Sequence, residues 1–561
     1  MNYSGIGQSD IAMTIGNRAS RTAAALLAWL LMCLSAGIAV GHEGPHAAPP
    51  DAGPVLGSLT FPTSSGNPQA QALFVEGMLF LHLFEYQAAL ERFQQAQALE
   101  PGFVMAHWAE AMTHNHPIWD EQNRDLARSA LDRLAPTAEA RAARAGTDIE
   151  RAWLDALEIL YGEGPKAERD RSYLRHLAGM AERWPDDHEV RLFHALALFG
   201  VHAGVRHVPD YLRATAIAQD VFSANPDHPG AAHYLIHGVD DPVHAVLGLS
   251  AARALGRMAP DAAHAQHMTA HIYLELGMWP DVVRANRAAA TVSNRHRAAR
   301  DLPERHTGHS NFWLLYGLLQ LGEKEQARAL LEAGWADSQA SDEPPPEPLE
   351  LDPDTSLTGS LVQMWARQII ETRDWNGGLL KWSFEFGDSL DPPITHAYLR
   401  SLAGFLGGDA EAGTRWRGVF EELRVRVGEM IAGQAEIPPS QPVYLQRLAV
   451  MALQLDALLS LAHGDSDAAL ARAAQASRRE GEMPLAFGPP YVDYPAAEFH
   501  GDMLTAAGRD TEAIAAYRTQ LARSQCKTLS VRGLAAAAER AGVRETAAEG
   551  CQTETAPPAA D

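Results

Sequence analysis

Residues 71–101, QALFVEGMLFLHLFEYQAALERFQQAQALEP, space their small and bulky side chains so that two helices can close into one hairpin. Leu73, Gly77 and Phe80 fall on the first helix, Tyr86, Ala89, Phe93 and Ala96 on the second, and Pro101 ends the unit. Gly77 and Ala89 let the helix axes approach, while the large residues fill the gap to a following hairpin. Such a unit cannot bury its apolar face alone, so it must stack on further copies. Pro226 and Pro260 repeat the frame one 34-residue period apart, each followed by a new helix, with Ala252 and Leu255 at second-helix core positions. The next units read AHAQHMTAHIYLELGMWPDVVRANRAAATVS, with Gly277, Trp279, Val282 and Ala289 in register, and HSNFWLLYGLLQLGEKEQARALLEAG. Nothing in the chain reads as a sheet.

Period and pattern together resemble the tetratricopeptide (TPR) repeat. The expected fold is all-α, a TPR-type helix-hairpin solenoid forming a right-handed superhelix in two arrays. The first array spans residues 67–335 and the second, more degenerate, spans 357–545. Between them the acidic, proline-rich ADSQASDEPPPEPLELDP cannot continue a helix, which predicts a linker over 336–356. Residues 42–66 and 546–561 are expected to be a disordered linker and a disordered tail.

Segments 1–41 have the plan of a secretory signal: Arg18 and Arg21, an apolar run from Ala23 to Val40, then small residues at Ala39 and Gly41. Cleavage there would leave a mature chain beginning at His42, in the periplasm or otherwise exported. Left uncleaved, the same run would act as a membrane anchor, the one route to a membrane. Export leaves two cysteines, Cys526 and Cys551, whose simplest state in an oxidising compartment is a disulfide. A formal net charge of −24 without a basic cluster argues against nucleic acid as a partner.

The most distinctive chemistry lies in HPGAAHYLIHGVDDPVH, residues 228–244, and in HMTAH, residues 267–271. His233 and His237 are four apart, as are His267 and His271 one repeat later. On a helix that spacing puts both rings on one face, Cβ atoms about 5–6 Å apart, where they can chelate one ion. Packed helices lie about 8–10 Å apart, so the two pairs can converge on one ion or two close ions. A carboxylate one turn along, Asp240, Asp241 or Glu275, would complete a mixed nitrogen and oxygen site for copper or zinc, copper being favoured for an exported protein. The further candidate ligands are His264, His309, His116 and an N-terminal His42. His228 and His244 sit at helix ends.

With EYQAALERFQQAQALEPGFVMAHW, WPDDHEVRLFHALALFG and GPPYVDYPAAEFHGDMLTAAGR, these histidine segments resemble a bacterial family of exported TPR-containing proteins whose activity is not established. The resemblance covers about residues 65 to 545. That family usually carries His-Met-Pro-Ser-His where this chain has HMTAH. The TPR resemblance also implies that the first helix of each unit lines a concave groove, with His233, His237, His264, His267 and His271 facing it.

The resulting expectation is an exported binding or scaffold protein. Its groove would hold a peptide, a protein segment or a small ligand beside a histidine-rich metal or polar-ligand site. The alternatives are a metal-dependent hydrolase or oxidase, with Asp240 or Glu275 as ligand or base, and a metal-free interaction module. HExxH, Gly-rich phosphate loops and G-x-S-x-G are absent from the sequence.

Overall fold

The helix hairpins form where the capping chemistry starts them. Asn67 accepts from the backbone of Gln69 and Ala70 to open the helix Pro68–His82, and Thr147 with Glu150 makes a reciprocal capping box for Asp148–Leu160. Asp409 and Asp465 cap Ala410–Ala432 and Ser466–Glu482 in the same way, directly after the Gly-rich turns. The computed structural model describes residues 53–202, 205–353, 356–545 and 551. Among these, 23 α-helices make up the fold, and the strands are two short segments, Asn115–His116 paired antiparallel with Glu121–Gln122. The chain is therefore all-α, an array of helix hairpins.

The repeat frame is visible in the packing. A Cβ on Gly77 would lie 2.4 Å from the Phe93 ring, so the first hairpin closes only because that position has no side chain. The helices Pro229–Val239 and Ala263–Glu275 begin one repeat length apart, at the positions that Pro226 and Pro260 set. Both are buried all round, and the usual amphipathic stripe is missing because neighbours cover both faces.

Two segments depart from expectation. The stretch before the first helix is ordered from residue 53 onward: Leu56 and Phe61 are buried, Ser58 N–H donates to the Asp227 carbonyl, and Val55 N–H donates to the Asp261 carboxylate. Apolar side chains thus turn the end of a supposed linker into a strap across the histidine repeats. The acidic segment does not separate two bodies either. The helix Lys324–Ala340 runs into it, Glu343 pairs with Arg305 and accepts from Leu357 N–H, and the described residues from Val55 onward form one compact unit. The signal segment, His42 and the tail apart from Cys551 lie outside the described residues.

Both ends of the unit return to the histidine repeats. The Trp279 indole donates to the Cys526 carbonyl, the Gln525 amide to the Pro242 carbonyl, and Thr528 N–H to the Gln320 side chain. Cys526 and Cys551 are joined by a disulfide.

Candidate metal centre

Six histidines from three consecutive first helices meet at the middle of this arrangement. His233, His237 and His264 form one triad, with one ring nitrogen from each lying within 4.8 Å of the others; His267, His271 and His309 form a second on the same criterion. The i, i+4 pairs come from Pro229–Val239 and Ala263–Glu275. His264 stands in the first turn of Ala263–Glu275 and His309 at the start of His309–Gln320. The paired histidines are buried, His264 is half-buried and His309 is exposed, so the third ligand of each triad is its most accessible member.

Hydrogen bonds behind the rings fix which nitrogen faces inward. His233 Nδ1–H donates to the His82 carbonyl at 2.7 Å, a partner that can only accept. His271 Nδ1–H donates to Asp240 Oδ2 at 2.6 Å. The Asn286 amide spends its N–H on the Val282 carbonyl, so its Oδ1, 2.7 Å from His267 Nδ1, accepts from that ring. Each ring then presents an Nε2 lone pair to the interior, the second-sphere arrangement that orients metal-bound imidazoles. His267 Nε2 and His271 Nε2 face each other at 3.0 Å, and His233 Nε2 and His237 Nε2 at 3.1 Å. In the His267–His271 pair both Nδ1 atoms already carry their protons, so two lone pairs meet head-on. That contact is favourable only around a cation.

Burial favours the neutral form, the one that binds a metal, for four of the rings. It pulls His233 down to about 3, and burial together with neighbouring histidines holds His237, His264 and His267 well below the ordinary imidazole range. His264 Nε2 is buried without a hydrogen-bond partner.

The turn at residues 83–85, some 150 residues upstream, does much of the positioning. The His82 carbonyl orients His233. Phe84, at a left-handed φ of 57°, lays its ring 4.4 Å from His233 and 5.7 Å from His264. Glu85 accepts from His264 N–H and so caps a helix whose own N-cap, Ala262, has no side chain able to do it. On the other side Trp313 packs 4.7 Å from His267 and 4.4 Å from His271. The backbone of the 484–492 loop presses on that indole, because a Cβ on Gly488 would meet it at 2.1 Å.

The expected carboxylate ligands are placed elsewhere. Asp240 stands behind His271 as its hydrogen-bond acceptor. Asp241 is saturated by Arg206, His244 and the backbone of Val243 and His244. Glu275 lines a separate cavity with Pro242, Glu480 and Tyr491, where burial and the nearby Asp240 and Asp241 push its carboxyl well above the ordinary range. Histidines one turn before the HxxxH frame and at the next helix start, His264 and His309, occupy the third positions instead. His116 is also outside the centre: it stacks on Tyr86 at 3.8 Å and both its ring nitrogens are engaged, by Glu121 and the Thr113 carbonyl.

Two other histidine clusters show what a satisfied group looks like. In the buried set His82, Glu189 and His228, each ring donates from Nε2 to a different oxygen of Glu189 and accepts at Nδ1, from the Tyr234 hydroxyl and Ala231 N–H respectively. Burial raises the Glu189 carboxyl, yet His82 and His228 prevail and hold it at about 2. The network closes on itself, without lone pairs left facing one another. His202, His207 and Asp210 form an ion-pair cluster in which the carboxylate is already shared with Arg213. Sequence patterning missed His82, Glu85, Asn286 and Trp313; all four lie inside the repeat motifs, where they were read for the hairpin frame and not for the site.

No family model matches the chain, and no curated protein matches it. Among solved structures it is similar to yeast Tom70, with 10% identity, a TM-score of 0.31, and coverage of 84% of this chain and 96% of that one. It is also similar to a monomeric IFIT1 mutant with Gppp-AAAA, with 12% identity, TM-score 0.29, and coverage of 78% and 82%. For the P58(IPK) TPR domain the identity is 12%, the TM-score 0.19, and the coverage 84% and 98%. The architecture of this chain, helix hairpins set on a 34-residue repeat, is TPR-type.

Proposed function

We propose that this chain is an exported TPR-type binding protein whose histidine repeats hold metal ions, copper in preference to zinc. The observation that carries the reading is the pair of inward lone pairs on His267 and His271, each ring locked into that tautomer from behind. A proton between them would satisfy that pair alone. A metal ion also engages His309, and a second ion engages the unpartnered Nε2 of His264 together with His233 and His237. Neutral imidazoles suit copper and zinc, and three nitrogen donors with an open side leave room for an exogenous ligand. The Cys526–Cys551 disulfide supports an oxidising compartment. The exposed Trp119, 5.9 Å from His264, gives a peptide or small ligand an aromatic surface beside the centre.

The test is elemental analysis of the full chain purified without an affinity tag, alongside the double variant His233→Ala, His267→Ala. Stoichiometric metal in the parent and its loss in a variant that keeps its helical circular dichroism supports the reading. A parent that takes up no metal at any loading overturns it, and leaves the histidines as polar residues of an interaction module.

A further inference from the structure

We propose that the six histidines form one dinuclear copper centre that binds dioxygen between its two ions, an inference resting on the metal-binding reading above. The triads are not two separate sites on a long array. Across the gap between them, ring centroids lie 6.2 Å apart for His237–His271 and 6.3 Å for His264–His267. Inside the triads, His237–His264 and His271–His309 are 6.5 and 6.4 Å apart. The other pairs inside the triads lie 4.4–5.1 Å apart, so the shortest separations across the gap match the longest within a triad, and one small ligand can touch both ions.

The donor set selects the metal pair. Dinuclear sites for harder ions use carboxylates to offset charge and bridge the metals, whereas here the carboxylates beside the triads are taken up elsewhere: Asp240 by the back of His271, Asp241 by Arg206 and Glu85 by the His264 backbone N–H. Six imidazoles with no carboxylate among them suit copper in both its oxidation states. The surroundings select the ligand. Phe84 lies against the first triad, Trp119 edges onto His264, and Trp313 contacts all three histidines of the second. A rim this apolar admits a small uncharged molecule more readily than an anion.

The step balances without a further reagent once the ions are present as Cu(I). Each Cu(I) gives one electron; dioxygen takes both, its double bond becoming the O–O single bond of a peroxide held by two Cu(II). No proton moves.

The experiment loads the full chain with Cu(I) anaerobically, admits dioxygen, and measures gas uptake and the Cu(II) electron paramagnetic resonance signal. The expected result is uptake at half the copper content with a spin count near zero, because spins bridged by peroxide cancel. Filled triads that give the full signal of isolated Cu(II), or no uptake, overturn the dinuclear inference while the metal-binding reading stands. A chain that binds zinc and refuses copper overturns the dinuclear inference and the copper preference and leaves metal binding standing, whereas a chain that binds neither overturns both. His264→Ala and His309→Ala, on different helices, should each halve the copper content and abolish dioxygen uptake. Uptake per copper unchanged in either variant contradicts a shared ligand.

Discussion

At the scale of single residues, the groups that matter most stand one bond behind the histidines. Asn286 holds His267 in the tautomer that faces the centre and has no other hydrogen-bonded role than anchoring itself to the Val282 carbonyl. Asn286→Ala should leave the His267 N–H buried and unpaired, costing roughly 1–3 kcal/mol of stability. Losing that partner should also weaken metal binding about 10–100-fold at the second triad. Chemical denaturation and a competitive metal titration measure the two effects. Equal affinity in the variant and the parent would show that Asn286 does not orient the ring. The four paired histidines were legible in the sequence because their spacing is a local property of one helix. Asn286 was not, since its role depends on how the following helix packs back across Ala263–Glu275. His264 and His309 stood among the further candidates, but the carboxylates beside them did not join the triads for a related reason: a one-turn offset puts Asp240 and Glu275 near the imidazoles along the chain but says nothing about which side of the rings they reach.

At the scale of elements, the helices carrying the ligands are held by turns from distant parts of the chain. The helix end at His82 and the turn after it supply a carbonyl, a ring and a helix cap to one side of the centre. The 484–492 loop covers the other side through Gly488, which sits at φ 83° with its backbone against Trp313. Gly488→Ala faces both a left-handed backbone and an overpacked contact, so it should destabilise the chain by about 1–3 kcal/mol. Trp313 should become more mobile, and its displacement should lower metal affinity at His267 and His271 before it affects the first triad. Tryptophan fluorescence and metal titration report both; an unchanged second triad would detach the loop from the centre. These elements were hard to read from sequence because their partners lie hundreds of residues away. The hairpin frame itself was plain, since Gly77, Phe93 and Pro101 act within one unit.

At the scale of the whole molecule, the array is drawn together by both of its ends, and buried charge is part of the junction. Lys527, fully buried, bridges Glu371 and Glu498, while Arg447 joins Asp391 to Asp493. Glu480 is different: burial pushes it up to about 7, although Ala496 N–H donates to it. The folded chain therefore binds that proton more tightly than the unfolded chain. The resulting stabilisation is complete below the ordinary carboxyl range and is lost as pH rises toward 7, by roughly 3 kcal/mol for this group alone. Asp391, raised to about 6 by burial against the pull of Arg447, acts in the same direction. Glu480→Gln should flatten the fall in stability between pH 4.5 and 7, which denaturant midpoints across that range will show. A slope identical to the parent's would mean that Glu480 is ionised in the folded chain. The linker expected at 336–356 was overestimated because proline and acidity forbid a helix without forbidding a packed strap, which Arg305 and Leu357 anchor through Glu343. The central claim, that these returning ends assemble two histidine triads around metal ions, is tested most directly by anomalous diffraction from crystals of the full chain at the copper and zinc absorption edges. The account predicts two anomalous peaks, one inside His233, His237 and His264 and one inside His267, His271 and His309. Metal-soaked crystals with no peak at either position would contradict it.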